Sequence, residues 1–301
     1  MMADRVILAI DAGGTTFKYN ILDFCSLNEL GEQRFYPISN SLDKDEMLEV
    51  FKRIFLDAMK RIGEMKSELS LVAFSVPGPF DCSRGVSLMT HKWLSLKDVD
   101  LVKEFRTMDV LPPTVGVSFV HDVHAFLLGE KMCGKALKAK NAAAVVIGTG
   151  VGFGMWDGNG FVTDSTGHPK YGIYKFQFKD GTLEDFVSGR GVSRIFMGRS
   201  GLQRTGKEIE ELAKAGDRDA VESYSEMGSC LGSVIGPILK EHYIEALAIG
   251  GRISLAFDFF KDSLRKAINI EENKLLIYPS DMLETAAMKG AASWGKRLYC
   301  K

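Results

Sequence analysis

Two glycines, two threonines and an aspartate follow the first apolar run of the chain, and this combination of residue types is suited to holding phosphate. Residues 6–10 predict a buried strand. The residues of interest that follow are Asp11, Gly13, Gly14, Thr15 and Thr16. Glycines let the backbone approach a ligand closely, while successive N–H groups and hydroxyls donate to phosphate oxygens. Asp11 could hold a hydrated Mg²⁺ ion against those phosphates. A plain hairpin with a Gly-Gly turn and an ordinary turn aspartate fits the same residues, so both interpretations stay open here.

A similar pattern occurs between residues 142 and 161. An apolar run leads into a short loop, and a second run of strand-forming residues follows. The loop contains Gly148, Thr149 and Gly150. When the sequence is laid over itself so that Ile10 falls on Ile147, Gly13 falls on Gly150. Two such hairpins in corresponding places predict a duplicated fold that holds phosphate groups between its copies.

A second aspartate, Asp122, comes where an apolar strand at 115–120 gives way to a helix. An ionisable group at that junction lies at the rim where α/β proteins bind ligands, so Asp122 is the candidate general base. An N-cap aspartate would have the same position and residue type, and this alternative stays open. His121 and His124 flank it. Because no third ligand is nearby, we expect polar residues at the rim rather than a metal site.

These stretches need a framework of alternating strands and helices, which is typical of an α/β fold. Apolar residues at helical spacing predict a core-facing helix at 47–62. Residues 69–76 have strand character and end in a rigid turn, PGPFD, which begins at Pro77 and Gly78. The remaining predicted elements are helices at 98–106, 125–137, 209–215, 220–239, 254–268 and 284–298, and strands at 246–249 and 275–278.

Composition narrows the class of protein. A chain of 301 residues is long enough for two lobes. Its net charge of -1 gives no electrostatic reason to expect nucleic acid. No apolar run approaches the roughly 20 residues that span a bilayer, and we expect no signal peptide. Five cysteines are scattered without a CxxC pair. We therefore expect neither a disulfide framework nor a thiolate zinc site, and a cytoplasmic location.

Five motifs occur in the order DAGGTT, PGPFD, VHDVHAFLLGE, VIGTGVGFG and AIGGRIS. In this order and spacing the sequence resembles the ROK family of sugar kinases and related regulators, within the superfamily of actin, hexokinase and Hsp70. The resemblance covers nearly the whole chain. It implies a two-lobed, duplicated ribonuclease H-like (actin-like ATPase) α/β fold with a ligand cleft between the lobes. The lobes implied are residues 1–118, joined by a C-terminal helix at 286–301, and residues 119–285.

The resemblance also implies roles for individual residues. Asp11 would organise Mg²⁺, through water, and the γ-phosphate of ATP, while Asp122 would be the catalytic aspartate that accepts a proton from a sugar hydroxyl. The first phosphate loop would be Gly13, Gly14, Thr15 and Thr16, the second would be Gly148, Thr149 and Gly150, and the nucleoside would lie against Gly250, Gly251 and Arg252. Sugar contacts would come from Pro77, Gly78, His121, Asp122, Ser165, His168 and Glu184.

Several positions depart from the family pattern. Family kinases usually carry Asn-Asp-x-Asn where this chain has histidines on both sides of Asp122, and Glu-x-Gly-His where it has Ser165 in place of the glutamate. The first loop has Thr16 where lysine is common. Zinc-binding cysteines are replaced by Lys175, Gln177 and Thr182, so we expect no structural zinc. The phosphate-binding residues are therefore better preserved than the sugar pocket.

The function expected from the resemblance is ATP-dependent transfer of the γ-phosphoryl group to the 6-hydroxyl of a hexose, with glucose as the first choice. A kinase for an N-acetylated amino sugar and a catalytically weak sugar-binding sensor are the alternatives. The resemblance favours a homodimer, with no nucleic-acid or membrane partner. Regulators in the family carry a helix-turn-helix domain before the first phosphate loop. Only ten residues precede Asp11, so we expect no DNA binding of that kind.

Overall fold

The computed structural model describes residues 4–90 and 92–299. The chain forms two compact units. The first comprises the described residues of Met1–Cys133, Thr163–His168 and Glu284–Lys301, and the second comprises Gly134–Val162 and Pro169–Leu283. No helix in the described ranges combines the length and the apolar character that a membrane span requires.

The first unit is built on a mixed five-stranded sheet. The strands of this sheet are β1 (Arg5–Ala12), β2 (Thr16–Asp23), β3 (Arg34–Pro37), β4 (Glu68–Val76) and β7 (Gly116–His121). The short β5 (Phe80–Asp81) and β6 (Val86–Ser87) form a separate two-stranded sheet. Its helices are α1 (Lys44–Glu64), α2 (Leu101–Thr107), α3 (Asp122–Cys133) and α8 (Ala286–Tyr299). The strand order is β3-β2-β1-β4-β7, in which the pairs β1–β2 and β2–β3 are antiparallel and the pairs β1–β4 and β4–β7 are parallel. The carboxyl ends of three parallel strands therefore meet at one edge.

Helix α1 begins at a capping box and confirms the helix predicted at 47–62. The side chain of Asp43 accepts from the amide of Glu46, and the Glu46 carboxylate accepts from the amide of Asp43. The buried face of the helix packs aromatic rings on the sheet, with Phe51 and Phe74 edge to face and their centroids 5.9 Å apart. This packing fixes β4, which ends beside the candidate site.

Helices α3 and α8 pack at very close range. A Cβ built on Gly129 would collide with the backbone of Ala286, and one on Gly290 with the backbone of Ala125. Only glycine at both positions allows this approach. Helix α8 therefore holds α3, and with it Asp122 at the start of α3.

The same packing determines where the first unit ends along the chain. Residues 119–133 lie in the first unit because α3 packs on α8, whereas the sequence suggested a lobe at 119–285. Residues 163–168 also belong to the first unit.

The second unit contains a four-stranded sheet and a layer of helices. Its strands are β8 (Ala142–Ile147), β9 (Val151–Trp156), the short β10 (Gln177–Phe178) and β11 (Gly181–Thr182), β12 (Ala246–Gly250) and β13 (Leu276–Pro279). Its α-helices are α4 (Gly189–Ser200), α5 (Gly206–Lys214), α6 (Arg218–Glu241) and α7 (Lys261–Ile268). The strand order is β13-β12-β8-β9, in which β8 and β9 are antiparallel and β8, β12 and β13 are parallel.

The two sheets share one arrangement, which confirms the predicted duplicated α/β fold. In each, a glycine-threonine hairpin supplies an antiparallel pair, and two further strands lie parallel to the first strand of that pair. The pairs are β1–β2 and β8–β9. The first unit adds β3 at the edge.

Two predictions in the second half of the chain were wrong in detail. The continuous helix predicted at 254–268 is a 3₁₀ helix, Arg252–Phe259, followed by α7, because Ala256 leaves helical geometry (φ -96°, ψ 16°). Helix α4 was not predicted. Its sequence contains three glycines, which have low helix propensity.

Candidate functional site

The first glycine-threonine loop is a tight turn between β1 and β2. The N–H of Gly13 donates to the carbonyl oxygen of Thr16 at 3.1 Å, and the N–H of Ile38 donates to the carbonyl of Thr15 at 2.9 Å. The indole of Trp93 donates to the carbonyl of Gly13 at 3.2 Å. Thr15 is exposed at the tip. The loop is therefore stabilised by backbone hydrogen bonds and by the side chain of Trp93, which is distant in sequence.

Asp11 lies at the start of this loop in a half-buried position. The hydroxyl of Ser75 donates to its carboxylate at 2.8 Å. Burial raises the pKa of Asp11, and the hydrogen bond from Ser75 and the charge of Lys18 lower it only in part. Lys18 itself pairs with Glu284. The carboxylate of Asp11 thus accepts a hydrogen bond from Ser75 and lies near the opposite charges of Lys18 and Glu284.

Strand register brings Asp11, Ser75 and Asp122 to the same edge of the sheet. Asp11 pairs with Ser75 across β1 and β4. The next residue of β4, Val76, pairs with His121 at the end of β7, and Asp122 follows directly. Two predicted functional carboxylates therefore lie at the carboxyl ends of neighbouring parallel strands, which is the edge where α/β proteins bind ligands.

The carboxylate of Asp122 accepts from the amide of Val123 at 2.7 Å. An N-cap side chain would accept from an amide two or three residues further on, so the N-cap interpretation does not describe this contact. Asp122 is exposed, yet the protein around it displaces much of the bulk water. This desolvation raises the pKa of Asp122 to about 6, against the lowering effects of Val123 and Lys92. A carboxylate with such a pKa is suited to general base catalysis near neutral pH.

The two histidines beside Asp122 lie where β7 gives way to α3, and both are buried. His121 is 4% exposed and His124 is 2% exposed. Burial lowers the pKa of His121 to about 4 and that of His124 to about 3. Both imidazoles are therefore neutral at pH 7. A neutral imidazole, like an amide, offers one donor and one acceptor.

His168 belongs to the short segment 163–168 of the first unit and is held at both ring nitrogens. Its Nε2 accepts from the amide of Phe80 at 3.3 Å, so Nδ1 carries the proton. Nδ1 lies 2.6 Å from the hydroxyl of Thr166, which donates to the carboxylate of Asp164 at 2.6 Å. The ring centroids of His168 and His121 are 4.8 Å apart. The structure thus brings together His168, His121 and the turn after β4.

The other predicted sugar contacts of the first unit lie in the same region. Pro77 and Gly78 follow β4 directly. A Cβ built on Gly78 would be 3.6 Å from Nδ1 of His121, so this turn lies against the buried imidazole. Ser165 is exposed three residues before His168.

The second loop lies in the second unit and is packed more tightly than the first. The N–H of Gly148 donates to the carbonyl of Gly150 at 2.9 Å, and that of Gly189, the first residue of α4, donates to the carbonyl of Gly148 at 2.8 Å. Gly251, at the end of β12, has a φ of +77°, and a Cβ there would collide with the carbonyl oxygen of Ile147. Gly251 therefore packs against the end of the strand that leads into this loop. The nucleoside contact implied for Gly250, Gly251 and Arg252 stays a prediction.

Glu184 belongs to the second unit, whereas the other predicted sugar residues belong to the first. Its Oε2 accepts from the amide of Val151 at 3.1 Å, and its Oε1 lies 3.3 Å from Nη2 of Arg190. A Cβ on Gly150 would be 2.5 Å from Oε2. The carboxylate of Glu184 thus supports the second loop.

Comparison with known proteins decides the family. The family model described as ROK family matches residues 7–297. The chain belongs to the ROK family. A glucokinase from Halalkalibacterium halodurans is 26% identical over 285 residues, covering 85% of this chain and 83% of the relative. An N-acetyl-D-glucosamine kinase from Haemophilus influenzae is 22% identical over 281 residues, covering 86% and 88%.

Solved structures support the same fold. A ROK family glucokinase from Streptomyces griseus, in complex with glucose and AMPPNP, superimposes with a TM-score of 0.77 at 19% identity, covering 97% of this chain and 99% of that chain. The fold is therefore the actin-like ATPase fold of ROK proteins, as the sequence predicted.

In this ROK protein the second unit contains a cavity of about 910 Å³, a size suited to a nucleotide. The second loop lines it with Gly148 and Thr149, and the 3₁₀ helix after β12 lines it with Arg252 and Ile253. Its other lining residues are Gly189, Arg190, Ser193, Arg194, Met197, Gln203, Arg204, Thr205, Gly206, Lys207, Glu208, Glu210 and Tyr224. Apolar side chains suited to a base and basic side chains suited to phosphates are both present, so a nucleotide fits.

Among residues 4–90 and 92–299, no group of three His, Cys, Asp or Glu side chains is arranged to hold a metal ion directly. Hydrated Mg²⁺ needs fewer protein ligands, because it keeps several waters and uses one or two carboxylates together with substrate phosphates. Asp11 meets this requirement.

Sequence reasoning missed three side chains around the first loop. Ser75 and Trp93 hydrogen-bond to Asp11 and Gly13, and the stem of Lys92 lies against Gly14. The sequence order of residues 92 and 93 gives no sign that they meet a loop some 80 residues earlier. The only sequence signal for Ser75 was its position two residues before the PGPFD turn.

Proposed function

We propose that this ROK family protein transfers the γ-phosphoryl group of ATP to the 6-hydroxyl of a hexose, with glucose as the first candidate. Membership of the ROK family and the similarity to glucokinases support the coarser statement that the chain is an ATP-dependent carbohydrate kinase. The observation that carries the proposal is the meeting of Asp11, Ser75 and Asp122 beside the first loop.

In the proposed reaction, the carboxylate of Asp122 accepts the proton of the sugar hydroxyl as its oxygen attacks the γ-phosphorus. The new oxygen–phosphorus bond forms, the bond to the bridging oxygen of ADP breaks, and Asp122 later releases the proton to water. Asp11 would hold Mg²⁺ through water, and the ion would neutralise phosphate charge. Positioning and charge neutralisation are the main requirements of phosphoryl transfer.

Donor binding is assigned to two groups of backbone and side-chain donors. The first loop, with Gly13, Gly14, Thr15 and Thr16, and the second loop, with Gly148, Thr149 and Gly150, would bind phosphates through N–H groups and hydroxyls. Gly250, Gly251 and Arg252 would lie against the nucleoside.

Acceptor binding is assigned to residues around the turn after β4. Pro77, Gly78 and His121 lie together there, and His121 is neutral at pH 7, so it can donate to one sugar hydroxyl or accept from it. Ser165 and His168 belong to the same region. The resemblance assigns Glu184 to the sugar as well, but its bonds to Val151 and Arg190 favour support of the second loop instead.

A second candidate acceptor is an N-acetylated amino sugar. Ser165 replaces the glutamate that the family usually carries, which leaves more room and one charge fewer. The similarity to an N-acetyl-D-glucosamine kinase also favours this candidate.

The decisive experiment measures ADP production from MgATP with glucose, fructose, mannose, N-acetylglucosamine and N-acetylmannosamine, using the Asp122→Asn variant as the control for contaminating kinases. Turnover with glucose supports the first candidate, and turnover confined to the N-acetylated sugars supports the second. Thermal stabilisation by a sugar without ADP release from any of the five would contradict the kinase and support a sugar-binding sensor.

We also propose a cytoplasmic homodimer with no nucleic-acid partner, on the family resemblance and the unpaired pattern of cysteines. Light scattering after size-exclusion chromatography would give twice the monomer mass of 33.2 kDa. A monomer at working concentration would contradict the dimer.

A further inference from the structure

A lysine from a distant segment lies over the first loop. The ideal Cβ position of Gly14 is 3.0 Å from Cδ of Lys92 and 3.1 Å from Cε. Because Gly14 has no side chain, the lysine stem can cross the loop at this point. Lys92 is half-buried, and its positive charge is close enough to lower the pKa of Asp122 against the opposing effect of desolvation.

The backbone next to Lys92 is strained and firmly held. Trp93 has a φ of 49° and a ψ of 42°, a left-handed conformation that is uncommon for a large side chain. Its indole is 2% exposed, donates to the carbonyl of Gly13, and lies 5.4 Å from the ring of Phe17. Such strain persists only where the surroundings over-determine the conformation, and it clusters at functional sites. Trp93 therefore fixes the position of Lys92 relative to the loop.

The other lysine near Asp11 is already engaged. Lys18 pairs with Glu284, whereas within the described part of the chain Lys92 has no ion pair. A half-buried lysine that forms no ion pair within the described residues, beside a loop of N–H groups and hydroxyls, is suited to a phosphate ligand.

We propose that the ammonium group of Lys92 binds the transferred phosphoryl group, supplying from another segment the positive charge that the first loop lacks at Thr16. This inference rests on the proposed kinase reaction. Lys92 keeps its proton throughout and forms no covalent bond. It stabilises the charge that spreads over the phosphoryl oxygens in the transition state.

The test compares Lys92→Met, Lys92→Arg and the matched control Lys97→Met, whose lysine is exposed five residues further along. Removing one such charge should lower kcat about 100-fold. The loss should fall mainly on kcat because the contact is strongest in the transition state. Lys92→Arg should recover part of the rate, and Lys97→Met should stay within about twofold.

A pH profile tests whether the charge of Lys92 lies near Asp122. Asp122 is subject to the opposing charges of Lys92 and Asp11. Lys92→Met should therefore move the acid limb of the kcat profile to higher pH, whereas the phosphate-binding role is tested by the loss of kcat and by partial recovery in Lys92→Arg. Equal urea midpoints for the variants would exclude misfolding as the cause.

The outcomes distinguish this inference from the proposed function. If the wild type turns over a sugar and Lys92→Met matches Lys97→Met in kcat, the inference is wrong and the kinase stands. If the wild type phosphorylates no sugar, calorimetric binding of AMPPNP decides the matter. Weaker binding to Lys92→Met than to Lys97→Met supports a phosphate-binding lysine, and equal binding overturns it.

Discussion

The two glycine-threonine loops have the same position in their sheets but different surroundings. The first begins with Asp11, and the register of its sheet adds Asp122 at the same edge. The second has Gly148 where the first has Asp11, and the carboxylate that reaches it, from Glu184, is bonded to the amide of Val151 and paired with Arg190. In the second loop, therefore, the carboxylate of Glu184 stabilises the structure of the protein.

This difference indicates that the two loops of the duplicated fold have different functions. The first loop has carboxylates with raised pKa values and a lysine that forms no ion pair with any described residue, which are costly for stability and useful for chemistry. The second loop has close backbone contacts and satisfied charges, which suit a rigid binding surface. Changes near the first loop should therefore reduce turnover, and changes near the second should reduce stability or nucleotide affinity.

The largest effect is expected at Asp122. Asp122→Asn removes the general base and should lower kcat by about 100- to 10,000-fold. Nucleotide affinity, measured by calorimetry, should change little because the cavity that we propose for the nucleotide lies in the second unit. Full activity in this variant would contradict the assignment of the base.

The same variant should also be more stable at neutral pH. The folded-state pKa of about 6 lies above the unfolded value of about 3.9, so ionisation of Asp122 between these values favours the unfolded state. An amide has no charge to desolvate. Thermal unfolding at pH 8 should show a higher Tm for Asp122→Asn than for the wild type, and a lower one would argue that the carboxylate is structural.

Gly251→Ala tests the close packing of the second loop. The added Cβ would meet the backbone of Ile147, and alanine is strained at a φ of +77°, so we expect a loss of about 3 kcal/mol or more in the free energy of unfolding. Gly148→Ala is the matched control, since a Cβ there has nothing within 4 Å. It should cost less than about 1 kcal/mol. Equal urea midpoints for the two variants would contradict the assigned packing.

The pH dependence of turnover tests the state of Asp122. Only its carboxylate form can accept the proton, so kcat should fall about tenfold per pH unit below about pH 6 and level off above it. His121 and His124 lose their protons well below this range and should contribute no limb near pH 6. A limb near pH 4 would show that the pKa of Asp122 is not raised in solution.

The smallest effect is expected at Glu184. Glu184→Ala leaves the amide of Val151 without its acceptor, and the KM for MgATP should rise about tenfold. Glu184→Gln keeps an acceptor oxygen and should change this KM by less than about threefold. A sugar-binding role would instead raise the KM for the sugar in both variants, so measuring both constants separates the two roles.

Local patterns were sufficient to predict much of the fold. The apolar runs around both loops predicted β1, β2, β8 and β9 because buried strands leave a simple signature. Helix α4 was missed because its glycines disfavour helix, while Val192 and Phe196 are buried in the core of the second unit and stabilise it. Tertiary packing overrode local propensity there.

The sequence predicted only those site residues that belong to continuous motifs. Asp11 and Asp122 follow strands and were found by that rule, and register then placed them at one edge. Burial of His121 could not be predicted, because it depends on the turn at Gly78 and on the segment that carries His168. Lys92 was out of reach for the same reason, since contacts across long sequence separations leave no periodic signal.

The close crossing of α3 and α8 has a consequence for how the protein is made. The helix that begins with Asp122 is synthesised before the second unit, but its packing partner, residues 286–299, is synthesised after that unit. Until then, the helix that carries the proposed general base lacks this packing contact. A nascent chain still tethered to the ribosome by α8 should bind nucleotide through its second unit before it can phosphorylate anything, and proteolytic removal of α8 from the finished protein should return it to that state.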